Sequence, residues 1–255
     1  MKIQILLLYY DRPEMVKNAL TSVKNQHYTD WHLSFIDDGS KHSGKTVVDD
    51  VLADSLEQIT YYNTGDSIET KRVHGSRIGE YMNTAIQYCK ADIAIMLCDD
   101  DALLPDYLSN LNRWFTEHPD KQYCYSHVIL YDPFIEKPGF FEKDTIDWMG
   151  HPQNRHRNRY NKRKRLNPAN SLDSSQVAWK TQCNLEDGIW FPSPQTANLD
   201  AVFYDKLNRQ YGPVDFSGFI GQYKGYHRDN LCIKNDKYSK RDLYKIEDLS
   251  KDCFS

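Results

Sequence analysis

Three aspartates stand side by side at the point where an apolar segment of the chain ends. The apolar run covers residues 92–97, and Asp99, Asp100 and Asp101 follow it after a single cysteine. Adjacent carboxylates at the end of a buried strand repel one another and lose solvation, so a cation or a dense hydrogen-bond network must offset their charge. Carboxylate oxygens are hard ligands that suit Mg²⁺ or Mn²⁺ together with a diphosphate. The segment therefore predicts a divalent cation site.

The same aspartates are also compatible with a purely structural role. An Asp-rich turn commonly ends a strand and caps the next helix, which here would start near Pro105. Cys98, directly before the aspartates, is interpreted as a small buried apolar residue rather than a functional thiol. The rest of the chain has to decide between the two interpretations.

Strands and helices alternate along the first hundred residues, which predicts a layered α/β fold with a parallel sheet. Ligands of such folds bind beyond the carboxyl ends of the strands. Three polar loops, residues 9–11, 37–40 and 99–101, each follow a predicted strand and should therefore meet at one edge of the sheet. The predicted strands are residues 3–9, 31–36, 58–62 and 92–97, and the predicted helices begin at Pro13, near Gly44 and near Ile78.

The alternation weakens in the second half of the chain. A helix with an apolar stripe over residues 108–115 and a strand over 122–131 are predicted, and a long irregular stretch follows from 133 to 168. With 255 residues in all, we expect one compact domain whose second half carries additional segments.

Composition and missing motifs exclude several classes of protein. No stretch approaches the roughly 20 apolar residues of a membrane span, so no integral membrane association is expected. The six cysteines form no C-x-x-C pair, which argues against zinc and against a disulfide framework and favours the cytoplasm, or the host cytoplasm if the protein is viral. Neither G-x-G-x-x-G nor a P-loop is present, which disfavours nicotinamide enzymes and P-loop NTPases.

Five segments in this order resemble the nucleotide-sugar glycosyltransferases of the GT-A fold, family 2, over about residues 3–230. The resemblance implies a Rossmann-like α/β domain at 1–230, with a nucleotide-sugar half at 1–105, an acceptor half at 106–230 and a tail at 231–255. The segments are Ile5–Pro13 (ILLLYYDRP), Leu33–Ser40 (LSFIDDGS), Leu97–Leu108 (LCDDDALLPDYL), Asn170–Lys180 (NSLDSSQVAWK) and Asn198–Leu207 (NLDAVFYDKL).

The resemblance assigns the donor side of the site. It implies that Tyr9 and Asp11 line a uracil pocket, that Asp38 hydrogen-bonds the base, and that the donor is a UDP-sugar. Asp99 would contact the ribose or the metal, and Asp100 would hold Mn²⁺ or Mg²⁺ on the donor diphosphate.

Three further donor-side positions are less closely matched to the family pattern. Asp101 is a candidate metal ligand because the motif can be placed on the three aspartates in more than one frame. Arg77 or Arg72 would supply the positive charge that the family carries in the helix where Met82-Asn83 stands here. His227 lies in a segment similar to the family's late His-bearing segment, which implies a contact with the metal or the diphosphate.

The resemblance also assigns catalysis and acceptor binding. Asp200 would be the general base of an inverting transfer, although an aspartate at a helix start is also an ordinary cap. Asp173 would bind substrate. Trp190 and Trp179 are candidate sugar platforms, although aromatic residues are more often part of the core.

A basic stretch at residues 151–166 suggests the kind of acceptor. It carries seven Arg and Lys residues and no acidic residue in a chain of net charge -4, and Arg155, Arg157 and Arg159 are taken as acceptor-binding. The stretch favours DNA that bears a hydroxylated base as acceptor. The alternatives are a surface polysaccharide or lipid-linked glycan, a solvated loop without a ligand, and a non-catalytic nucleotide-sugar or nucleic-acid binding module.

Overall fold

The computed structural model describes residues 1–131, 172–193 and 199–225, and the fold is given for these. Predicted features at 133–168, including the basic stretch, and the tail at 231–255 lie outside them. The strands are β1 Ile3–Tyr9, β2 Trp31–Asp37, β3 Ile59–Asn63, β4 Ile93–Cys98, β5 Ala102–Leu103, β6 Tyr123–Tyr131, β7 Val177–Lys180 and β8 Asp215–Gly225. The helices are α1 Pro13–Lys24, α2 Lys45–Val51, α3 Ile68–His74, α4 Ile78–Cys89, α5 Tyr107–Glu117, α6 Gln182–Leu185 and α7 Leu199–Tyr211, with 3₁₀ turns at Ala53–Gln58 and Ser174–Gln176.

These strands form one mixed sheet in the order β3-β2-β1-β4-β7-β6-β8-β5. The first four strands run parallel, as does the pair β6 and β8, whereas β7 runs antiparallel to both of its neighbours. Because β7 is reversed, its start lies at the same edge as the carboxyl ends of β4 and β8. The sheet therefore has one edge at which most of its polar loops meet.

Alternate side chains of β1 pack into two hydrophobic layers, one on each face of the sheet. Ile3, Ile5 and Leu7 pack with α1 and α5, and Leu6 on the opposite face packs with α4 and α7. All four side chains are completely buried, and each such burial contributes about 1.5–3 kcal/mol. Two covered faces explain why these strands read as continuous apolar runs.

The predicted single-domain α/β fold with a mostly parallel sheet is confirmed. The structure adds elements that the sequence pattern did not indicate, namely α3, β5, β7, α6, β8 and the two 3₁₀ turns. None of the helices in the described ranges has the length and apolar character needed to cross a membrane.

Candidate functional site

The carboxyl edge of the parallel strands collects the polar loops that the sequence singled out. Leu8 of β1 is opposite Cys98 of β4 in the sheet register, so the loops that follow these two strands are neighbours. The Cys98 thiol lies 3.4 Å from the Ser174 hydroxyl, which joins the start of the β7 segment to the same place. Lys224, near the end of β8, completes the group.

Arg12 links two of the three adjacent aspartates. Its Nη1 lies 3.0 Å from Asp99 Oδ1 and 3.1 Å from Asp100 Oδ2, and the backbone N–H of Tyr10 donates to Asp99 Oδ2 at 3.0 Å. Both carboxylates are nearly buried. The loop after β1 therefore holds Asp99 and Asp100 in place through one guanidinium and one backbone amide.

Asp101 is held by the end of β8. The Lys224 ammonium lies 3.1 Å from its Oδ2, and the Gly225 N–H donates to its Oδ1 at 3.0 Å. Asp101 is fully buried, so both oxygens are occupied by protein donors in a place that water does not reach.

The charges at this edge suit a divalent cation. Four carboxylates pair with only two cations, Arg12 and Lys224, among the side chains that the structure describes, which leaves an excess of two negative charges when all are ionised; the four are Asp99, Asp100, Asp101 and Asp173. Burial and the charge of Asp100 raise the pKa of Asp99 to about 6. One ligand atom each from Cys98, Asp100 and Asp101 lies within 4.8 Å of the others.

The donor chemistry favours carboxylates over the thiol as ligands in that group. Burial raises the pKa of the Cys98 thiol well above its ordinary value, and only the thiolate is a good metal ligand. Carboxylate oxygens remain, and they select Mg²⁺ or Mn²⁺. The residues present therefore fit the predicted ion.

Asp173 and Asp200, which are predicted to serve the acceptor, lie near the same edge. The Asp173 carboxylate is 3.0 Å from Lys224 Nζ and also caps the turn at Ser174–Gln176. Asp200 lies in the first turn of α7 and accepts from the Ala201 N–H at 2.8 Å. Burial and the nearby charge of Asp173 raise the pKa of Asp200, which suits a carboxylate that must accept a proton.

Asp38 lies in a separate polar group at the end of β2. The Lys71 ammonium donates to the Asp38 carbonyl at 2.5 Å and lies 3.3 Å from its carboxylate, to which the Ser76 hydroxyl also donates at 3.0 Å. Lys71 also stands 3.8 Å above the ring of Tyr10, which is 38% exposed. Asp38, Lys71 and Tyr10 together form a surface with a flat apolar face and both hydrogen-bonding polarities.

The other predicted donor-side residues hold the loops around this group. The Tyr9 ring is buried, and its hydroxyl donates to the His42 carbonyl at 2.7 Å. Asp11 accepts from the His42 N–H at 2.8 Å and adopts a positive φ of 50°. Arg77 forms a two-pronged ion pair with Asp66 and is not in contact with Asp38. The structure thus places Tyr9, Asp11 and Arg77 around the predicted base pocket, and their contact with a donor stays a prediction.

The two tryptophans that were predicted as sugar platforms differ in burial. Trp179 is completely buried and its indole N–H donates to Asn184, so its prediction as a sugar platform is wrong because the ring is part of the core. Trp190 is partly exposed and packs at the margin of the α4 and α7 layer. Predicted acceptor and metal residues outside the described ranges are Arg155, Arg157, Arg159 and His227.

Sequence reasoning missed three cations that organise the site, namely Arg12, Lys71 and Lys224. Arg12 stands inside the quoted first motif and could have been inferred from its place after β1. Lys71 lies on α3, a helix that the pattern did not reveal. Lys224 lies in the segment that also holds His227, and nothing local ties it to Asp101, which is 123 positions away.

Comparison with known proteins agrees with this geometry. The model of glycosyl transferase family 2 matches residues 5–172. Protein CgeD of Bacillus subtilis (strain 168) is 29% identical over 129 residues, which are 49% of this chain and 29% of CgeD.

Solved structures share the fold at low sequence identity. S. aureus TarS 1–349 in complex with UDP-GlcNAc superposes with a TM-score of 0.68 at 14% identity and covers 98% of this chain. The mannosyltransferase PcManGT from Pyrobaculum calidifontis, in complex with GDP-Man and Mn²⁺, gives 0.58 at 13% identity over 90% of this chain. The chain spans 65% of that TarS structure and 58% of the PcManGT structure. With the matched family model covering well over half of its residues, the chain belongs to glycosyl transferase family 2.

Proposed function

We propose that the chain transfers a sugar from a nucleotide diphosphate donor, a UDP-sugar, to an acceptor hydroxyl with inversion at the anomeric carbon. The observation that carries the proposal is the excess of carboxylate over cation among the described side chains at the sheet edge, with Asp200 on its acceptor side. A divalent cation would offset these two excess negative charges, whereas a purely structural turn would leave them uncompensated.

The donor side is formed by two groups of residues. Asp38 accepts from the base, and the Tyr10 ring offers a stacking face beside it. Asp100, with Asp99 beside it, would hold Mn²⁺ or Mg²⁺. When bound, the ion neutralises charge on the departing diphosphate. Structural neighbours support this assignment, since TarS has been solved with UDP-GlcNAc and PcManGT with GDP-Man and Mn²⁺.

Asp200 serves as the base. The acceptor hydroxyl gives its proton to the Asp200 carboxylate while its oxygen forms a bond to the anomeric carbon. The bond between that carbon and the diphosphate oxygen breaks on the opposite face, which inverts the configuration. The raised pKa of Asp200 makes its carboxylate a stronger base than an exposed one.

The acceptor is proposed from sequence alone. The basic stretch at 151–166 supports a polyanion, and DNA that bears a hydroxylated base fits it because phosphates attract clustered Arg and Lys. A target base inside a duplex would have to be flipped out. A surface polysaccharide or a lipid-linked glycan is the competing acceptor.

The test is a screen of nucleotide sugars against DNA and glycan acceptors, read by mass spectrometry with Mn²⁺ or with a chelator. We expect glycosylated product and free UDP only with the ion, and neither with Asp200→Asn. Nucleotide binding without turnover, with every acceptor, would instead identify a binding module. Product on glycans alone would reject the DNA acceptor and leave the transferase in place.

A further inference from the structure

Lys224 joins two carboxylates that belong to different halves of the site. Its ammonium lies 3.1 Å from Asp101 and 3.0 Å from Asp173, and its side chain is only 12% exposed. Asp101 follows β4 on the donor side, whereas Asp173 starts the segment that leads to β7 on the acceptor side. One buried cation therefore spans the boundary between the two halves.

The backbone around Lys224 is fixed at close range. A Cβ at Gly225 would stand 2.1 Å from the Asp100 carbonyl oxygen, so only glycine allows β8 to approach the aspartate segment this closely. The Gly225 N–H donates to the same Asp101 carboxylate that Lys224 contacts. Lys224 consequently has little freedom to move relative to Asp100 and Asp101.

The contacts continue from Asp173 toward the general base. Asp173 caps the 3₁₀ turn at Ser174–Gln176, and the Tyr204 hydroxyl of α7 donates to the Ser174 carbonyl at 2.5 Å. Asp200 lies one helical turn before Tyr204 on α7. A shift of Asp173 would therefore be passed to the helix that carries Asp200.

We propose that Lys224 is a positioning residue that sets the distance between the donor diphosphate and the general base by holding Asp101 and Asp173 together. The inference rests on the proposed function. It gives Asp101 the role of an anchor for Lys224 instead of that of a metal ligand. Lys224 itself touches no reacting atom.

The variants are Lys224→Met, which keeps the length and removes the charge, and Lys224→Arg, which keeps the charge. Lys121→Met is the matched control, because Lys121 pairs with Asp215 on the surface, where both partners are more than a third exposed. Misplacement of reacting groups by about 1 Å costs on the order of 100-fold in rate. We expect kcat of Lys224→Met to fall by about that factor, while the Kd for UDP and the donor KM change little.

Two results separate positioning from general damage. Lys224→Arg should lose less kcat than Lys224→Met, and Lys121→Met should match the unmodified chain. Wild-type kcat in Lys224→Met would overturn the proposal. So would an equal loss of kcat and UDP binding in both Lys224 variants, because that pattern means the site has collapsed. If Lys224→Met does not fold, Lys224→Arg decides instead: a lower kcat with an unchanged Kd for UDP supports positioning, and an equal loss of kcat and UDP binding overturns it.

A second measurement is independent of turnover. Urea unfolding of Lys224→Met, Asp173→Asn and the double variant gives a double-mutant cycle, and a bridge requires that the two changes are not additive. Additivity would overturn the bridge. If the unmodified chain transfers no sugar at all, the proposed function fails, and this cycle alone decides whether Lys224 holds the two segments together.

Discussion

Asp200 is the side chain on which the proposed chemistry depends most directly. Replacing it with Asn removes the proton acceptor and keeps the size of the side chain, so kcat should fall by about 10²–10⁴-fold while UDP binding persists. Single-turnover kinetics and calorimetry measure the two quantities. Asp205→Asn is the control on the same helix, because Asp205 pairs at the surface with Arg209. An unchanged kcat in Asp200→Asn would reject Asp200 as the general base and leave it the role of a helix cap.

The raised pKa of Asp200 also predicts the direction of a pH effect. A base must be ionised, so kcat/KM should fall as the pH drops through a pKa above the ordinary 3.8. The charge of Asp173 is the second cause of that rise, after burial, and Lys224 opposes it. Asp173→Asn should therefore move the acidic limb of the profile to lower pH, whatever its effect on the maximal rate.

The control for this shift is Asp187→Asn, which removes a carboxylate that accepts from the Tyr211 hydroxyl away from the site. Its acidic limb should coincide with that of the unmodified chain. A limb that stays in place in Asp173→Asn would show that Asp200 is not the group that titrates.

The sequence was informative about the carboxylates and much less so about their partners. Asp99, Asp100 and Asp101 are consecutive, and their position after an apolar run is enough to predict a charged site. Arg12 and Lys224, which pair with them, are 87 and 123 positions away from the aspartates they contact. Only the sheet order brings such residues together, and no local pattern encodes that order.

At the scale of elements, the parallel half of the sheet could be predicted and the rest could not. β1, β2 and β4 are buried on both faces and read as apolar runs. β7 has four residues, and β8 is interrupted by Gly218 and Gly221, so neither shows a clear period. α3 is a seven-residue helix with no buried side chain, which leaves no apolar stripe to detect.

The contact between β8 and the aspartate segment makes an element-scale prediction. Gly225→Ala forces a Cβ into the Asp100 carbonyl, so β8 or the segment must move. We expect a loss of about 1–3 kcal/mol in the free energy of unfolding, together with weaker Mn²⁺ binding because Asp100 is displaced. Urea unfolding and Mn²⁺ titration by electron paramagnetic resonance measure the two effects.

Gly212→Ala is the control for Gly225→Ala. Gly212 has a φ of +82° and open space around its Cβ position, so alanine there costs backbone strain of about 1–2 kcal/mol without touching the aspartates. It should leave Mn²⁺ affinity unaltered. Equal Mn²⁺ affinity in Gly225→Ala and Gly212→Ala would show that the contact between β8 and the aspartate segment does not affect Mn²⁺ binding.

For the molecule as a whole, the uneven distribution of charge matters more than its sum. The net charge is -4, and four of the carboxylates that the structure describes lie around two cations at one edge of the sheet. The seven Arg and Lys residues of the 151–166 stretch are separated in sequence from that edge. The proposed metal-dependent donor site and the basic segment are expected to respond differently to ionic strength.

Added salt should therefore weaken the binding of a DNA acceptor and have little effect on the binding of the nucleotide donor. Each phosphate that an Arg or Lys neutralises releases a counterion, so engagement of all seven basic residues would lower the affinity for DNA by about 10³-fold or more between 50 and 200 mM salt. The Kd for UDP with saturating Mn²⁺ should change far less over this range. Fluorescence anisotropy with labelled DNA measures the first quantity and calorimetry the second. Gln at Arg155, Arg157 and Arg159 should flatten the slope by about three in log–log units. A flat slope in the unmodified chain would exclude a phosphate-rich acceptor at this stretch and favour a neutral glycan.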